Sequence, residues 1–143
     1  MKDSLETSIE TYGIELAETH PLLKRIPKKH FDHAGDAETN CIVFQASKRG
    51  EDIPGHYNVD LEVEYRADSR RTPAQNKAVH AAIDELFDTV NGSQSWAALH
   101  RTTIEKEFAF LRIEEVTGSN NADTQNLRRR LLTVRFIARL LHL

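Results

Sequence analysis

From Tyr57 to Arg66 the chain alternates without interruption, with Tyr57, Val59, Leu61, Val63 and Tyr65 on one side and Asn58, Asp60, Glu62, Glu64 and Arg66 on the other. A period of two predicts a strand with one dry face and one charged face. Directly afterwards the period lengthens to about 3.6 residues. Thr72 stands at a helix cap, Pro73 at the first helical position, and Gln75 where it closes a capping box. The helix they start is predicted over residues 73–90, with Val79, Ile83, Leu86, Phe87 and Val90 on its apolar face and Asn91-Gly92 as its stop.

The rest of the chain gives further elements. Leu5, Ile9, Tyr12 and Leu16 recur at helical spacing, Asp3 and Glu6 are placed as a cap pair, and Pro21 is a stop, so a helix is predicted over 4–19. Residues 22–40 are polar and aperiodic and read as a loop, with a short helical turn at 22–25. Residues 41–46, Cys-Ile-Val-Phe-Gln-Ala, suit a buried strand, and 48–55 carry the Gly, Pro and Asp of a turn, so a hairpin is expected into the Tyr57 strand. Residues 94–103 are ambiguous, with Trp96 to Leu99 read as a helical turn in preference to a strand. Residues 108–116 predict a strand with a bulge where Phe108 and Phe110 give way to Leu111 and Ile113. A loop over 117–125 leads to a last alternating strand over 127–143, where Leu132, Val134, Phe136, Ala138 and Leu140 share a face. The order α-β-β-α-β-β predicts one α+β domain over 1–143, a mainly antiparallel sheet with helices packed on one face. No sequence repeat is visible, although the element order itself recurs.

Size and composition support this picture. A chain of 143 residues with 39% hydrophobic and 29% charged positions has material for one core and is not of disordered type. No apolar run approaches the roughly 20 residues of a membrane span, and the first residues lack the apolar segment of a secretory signal. The expectation is a protein without membrane contact that stays inside the cell that makes it. The single cysteine, Cys41, excludes an internal disulfide and a zinc site of paired cysteines, and reads as a core thiol.

Charge is uneven along the chain. All 22 acidic residues precede position 127 beside 14 basic ones, a net of −8, whereas the last seventeen residues hold Arg128, Arg129, Arg130, Arg135 and Arg139 and no acid. Two readings follow: the basic strand meets a partner, or it pairs with an acidic neighbour in its own sheet.

Candidate chemistry is sparse. His30, Asp32, His33 and Asp36 offer metal-ligand types, but their spacing on a loop fixes no tetrahedral geometry, so no metal and no cofactor is expected. Asp60, Glu62 and Glu64 share a strand face as a magnesium-dependent nuclease would arrange them, yet the lysine such a site needs two residues beyond an acid is absent, Arg66 standing after Glu64. No phosphate-binding glycine loop and no nucleophile motif occurs. The arginines lack the interleaved aromatics of a nucleic-acid stacking surface. Catalysis is therefore not expected.

In its element order, in the strand over 57–65, in the helix over 72–90 and in the arginine-rich stretch over 127–136, the chain resembles the tail terminator and minor tail (tail-completion) proteins of long-tailed bacteriophages. The resemblance is one of plan and covers about residues 5–140. It implies a virion protein that forms a ring, usually of six copies, at the head-proximal end of the tail tube, binds the tail tube protein, stops polymerisation and docks to the head-tail connector protein. DNA would pass through its bore without specific binding. Within this reading Arg128, Arg129, Arg130, Arg135 and Arg139 are inter-subunit or partner contacts, and Asp60, Glu62 and Glu64 line an interface or the bore. Lys48, Arg49, Glu51 and Asp52 in one loop, and Ser119, Asn120 and Asn121 in another, would order against neighbouring rings. The alternatives are a connector or tube-like protein of the same neck region, a monomeric interaction module, and a metal-dependent nuclease using Asp60, Glu62 and the His30/His33 loop.

Overall fold

The computed structural model describes residues 4–35, 39–87, 108–119 and 128–140. Helix α1 spans Ser4–Glu18 and buries Leu5, Ile9 and Tyr12 of the stripe expected from its spacing, while at its last turn Ala17 is buried and Leu16 only partly so. It lies very close to the sheet at Gly13, where a Cβ atom would sit 2.9 Å from the Phe44 ring and 3.1 Å from Leu61 Cδ2. Thr19 closes the helix by donating its hydroxyl to the Leu16 carbonyl at 2.6 Å. Asp3 lies outside the described residues.

The stretch read as a loop over 22–40 is more ordered than its composition suggests. A 3₁₀ turn at Leu23–Arg25 drives Leu23 and, just after it, Ile26 into the core. Strand β1, Lys28–His30, then pairs parallel with the start of the next strand, and a second 3₁₀ turn, Phe31–His33, follows. Three residues of Lys-Lys-His carry no alternation, so β1 has no signature of its own and exists because a neighbouring edge accepts it.

Strand β2 spans Cys41–Ile53 and strand β3 His56–Arg66. The Tyr57 strand is thus found where alternation placed it, but β2 is much longer than 41–46. Lys48, Arg49, Glu51 and Asp52 are strand residues and not a hairpin loop, and the turn narrows to Pro54-Gly55, with Gly55 at φ 82°. The ladder offered by β3 captures this polar stretch, and register shifts at Lys48/Gly50 and Glu51/Ile53 absorb residues that do not fit. Those irregularities and the charges around them also make this end of β2 a poor template for stray strand pairing.

Helix α2, Pro73–Leu86, begins with the expected capping box: Gln75 N donates to Thr72 Oγ1 at 3.2 Å and Thr72 N to Gln75 Oε1 at 2.9 Å. Val79, Ile83, Leu86 and Phe87 are buried as its spacing required. Its continuation to Val90, the Asn91-Gly92 stop and the segment around Trp96 lie outside the described residues. Strand β4 spans Phe108–Ser119, beyond the expected end at 116, so Ser119 belongs to a strand while Asn120 and Asn121 lie outside the described residues. Register shifts at Phe110/Arg112 and Ile113/Glu115 confirm a bulge in that strand. Strand β5, Arg129–Leu140, completes a sheet of order β1-β2-β3-β5-β4.

All pairings except β1 with β2 are antiparallel. Among the described elements α1 is followed by the β2-β3 hairpin with the short β1 added before it, and α2 by the antiparallel pair β4-β5, and the two pairs meet through β3 and β5 at the centre of the sheet. The expected recurrence of element order is thus approximate, β1 having no counterpart among the described elements of the second half. Both helices cover one face, where they share a core with Phe44, Leu61, Val63, Val134 and Phe136. Phe136 is the hinge of that packing, meeting Tyr12 of α1 and Phe87 at the end of α2 edge-on, each with ring centroids 6.4 Å apart. The domain is α+β with its helices on one side, as expected.

Candidate functional site: the open face of the sheet

Because β3 alternates, its second set of side chains, Asn58 to Arg66, must project from the face opposite the helices. The antiparallel register lays β5 beside it with Asp60 opposite Arg135, Glu62 opposite Thr133, Glu64 opposite Leu131 and Arg66 opposite Arg129. Acidic and basic strands are therefore next to each other in one sheet.

Asp60 is only 4% exposed. Arg135 Nε donates to its Oδ1 at 2.9 Å and Arg49 Nε to its Oδ2 at 2.8 Å, so that a guanidinium reaches it from each neighbouring strand. The Arg135 hydrogen bond outweighs the cost of burial, and Arg49 adds to it, holding the Asp60 carboxyl below the usual aspartate range. At Glu64 burial is the largest influence and pushes upward, yet hydrogen bonds from Arg66 and Arg129 together overcome it and the carboxyl also stays low. Arg66 Nε lies 2.5 Å from Glu64 Oε1, Arg129 Nη2 lies 2.9 Å from Oε2, and Arg66 Nη1 donates to the Gly35 carbonyl at 2.8 Å. Arg66 thereby ties the segment after Phe31–His33 onto this face.

The remaining arginines divide. Arg130 points to the helix side and makes a two-pronged pair with Asp84 of α2, with Nη2 at 2.9 and 2.8 Å from the two carboxylate oxygens. Arg128 is half-buried, and its backbone carbonyl accepts from Ala67 N at 2.8 Å. Arg139, opposite His56, is exposed and makes no ion pair or hydrogen bond among the described residues. The reading of all five arginines as inter-subunit or partner contacts is therefore corrected at three positions: Arg129, Arg130 and Arg135 neutralise carboxylates of their own chain, the second of the two readings that the charge pattern allowed.

Of the residues expected in the first loop, Arg49 belongs to the Asp60 pair, and Lys48 Nζ sits 4.9 Å above the Tyr57 ring. Glu51 Oε2 accepts from Gly55 N at 3.0 Å, and this backbone hydrogen bond keeps its carboxyl low and fixes the turn. The side chains of Asp52 and Ser119 lie outside the described residues.

Glu62 is the exception on the acidic row, with neither hydrogen bond nor ion pair among the described residues. It borders a concavity of about 210 Å³ lined by Phe31, Val43, Gln45, Glu62, Glu64, Arg66 and Leu131. Phe31, 39% exposed, forms one wall. Sequence reasoning missed this hollow because Phe31 reaches it from the stretch after β1, and only the parallel pairing of β1 with β2 brings that stretch across the sheet.

Of the histidine cluster Asp36 lies outside the described residues, and the described members do not come together. His30 Nδ1 lies 2.7 Å from Oε1 of buried Glu10, whose Oε2 accepts from Ala46 N at 2.7 Å, and Glu6 Oε2 accepts from Lys48 N at 2.9 Å. These two glutamates of α1 finish the edge of β2 where β1 ends. His33 meets His30 only ring to ring at 6.0 Å, and no group of metal-ligating residues forms among the described residues. With Asp60 and Glu64 committed to arginines, the acidic row lacks the open carboxylate pair that a nuclease metal would need. Among the described residues no helix is long and apolar enough to cross a membrane. Compared with known proteins, the chain matches no protein-family model and no curated protein.

Proposed function

We propose that this chain is a structural assembly protein of a long-tailed bacteriophage, working as a closed ring of identical copies at the head-proximal end of the tail tube. There it stops tube polymerisation and offers a docking face to the head connector, while DNA crosses the bore without specific contact. The observation that carries this reading is the one-sided architecture. Among the described residues both helices pack on one face, and strands of 11 to 13 residues carry nothing on the other face except where the segment after β1 crosses it. A broad surface whose charges are held in place by neighbours suits contact with protein surfaces more than turnover, since little side-chain freedom is lost when it is covered. The element order adds the resemblance in plan to tail terminators.

Electron micrographs of tails from a phage lacking this chain test the proposal. Tails of uncontrolled length are expected. Tails of normal length that fail to acquire heads would instead assign the chain to the connector of the same neck region, and normal virions would refute both.

A further inference from the structure

Internal pairing leaves two charges on the open face without a described partner, and they are of opposite sign. Glu62 lies on β3 beside the concavity, and Arg139 lies on β5 opposite His56. They are six residues apart along β3, about 20 Å at the rise of an extended strand. Among the described residues Glu62 has no guanidinium partner: Arg66 and Arg129 are held by Glu64, and Arg135 by Asp60.

We infer that the Glu62 concavity receives Arg139 of a second copy of this chain. A hollow of about 210 Å³ with Val43, Leu131 and Phe31 in its lining accepts the aliphatic stem of an arginine. The guanidinium then meets the Glu62 carboxylate, with the Gln45 amide beside it as a further polar partner and the exposed ring of Phe31 offering its π face. The knob and the hole lie at different places on one subunit, so the contact is heterologous, the type that generates a ring when the rotation closes. The inference rests on the ring reading above and specifies which charges lock it.

Charge exchange is the test. Self-association of the wild-type chain is measured by analytical ultracentrifugation over a concentration series, beside Glu62→Arg, Arg139→Glu and the double exchange. Each single reversal is expected to weaken association at least about tenfold, because it sets like charges against each other, and the double exchange to recover most of the loss. The neutral variants, the isosteric Glu62→Gln and the shorter Arg139→Gln, should weaken it in the same direction. Association that is undiminished in both single reversals overturns this inference and leaves the ring reading standing. A single reversal that weakens association without recovery in the double exchange also overturns it, since the two residues then have other partners. A wild-type chain that stays monomeric at every concentration and beside tail tube subunits refutes the ring reading itself.

Discussion

Replacing Asp60 by asparagine probes whether the open face is held together as described. The substitution preserves shape but removes the charge that two guanidinium groups share, at a residue 4% exposed. Full burial of all partners would make the loss roughly 3–5 kcal/mol. Here the Arg49 and Arg135 side chains remain 58% and 41% exposed, so both recover much of their hydration. The cost is therefore nearer that of losing charge-assisted hydrogen bonds, about 2 kcal/mol, or a fall in Tm of about 4–8 °C for a chain of this size. The sign of the pH dependence follows from the lowered carboxyl. In the unfolded chain Asp60 titrates near 3.8, so its stabilisation is complete above that value and is lost as pH falls through the lower folded value. Urea unfolding of the wild type and Asp60→Asn from pH 7 into the acid range should show a constant gap that closes below pH 3.8. A gap under about 0.5 kcal/mol at pH 7, the scatter of an ordinary surface change, or one that persists unchanged into acid, would refute the reasoning.

Three other outcomes are expected. Gly13→Val forces branched carbon into the Phe44 ring, already 2.9 Å from a bare Cβ, and should destabilise by about 2–3 kcal/mol in chemical denaturation. Glu10→Ala strips the carboxylate from Ala46 N and His30, so the Ala46 amide should exchange hydrogen markedly faster while amides in the centre of β3 change little, with a stability loss of about 2 kcal/mol. Burial pushes the Tyr65 phenol, which donates to Asn76 Oδ1 at 2.8 Å, up to about 12, so ultraviolet titration should show a late-ionising tyrosine that Tyr65→Phe removes.

Legibility in the sequence followed the strength of local patterning. The Tyr57 strand, the Thr72 cap and the arginine-rich strand each carry a period or a capping motif strong enough to survive tertiary packing, and each is found close to its expected place. The stretch over 48–53 was misread because Lys, Arg, Gly and Glu are turn formers by composition, whereas its conformation is imposed by the ladder of β3. Strand β1 was invisible for a related reason: three residues paired along a parallel edge need no pattern. At the site, alternation showed which side chains share the open face but not which strands are neighbours. Whether Arg135 meets Asp60 or a foreign surface depends on β5 lying beside β3, a pairing across 75 positions of sequence that no local period encodes. Glu6 and Glu10 do leave a trace, as acids one turn apart flanking the apolar stripe of α1, but spacing within the helix shows Glu6 only as a cap partner and does not say which strand edge the pair meets.

The position of β5 between β3 and β4 has a consequence for biosynthesis. The strand that fills the middle of the sheet is the last of the described strands to leave the ribosome. Until it emerges, the inner edge of β3 has no neighbour and Tyr12 and Phe87 have no Phe136 to close upon. Between the synthesis of β3 and the emergence of β5 an unpaired strand edge and exposed apolar side chains coexist, the combination that favours association with other chains, so shielding of that slot during this interval is expected to raise the yield of native protein.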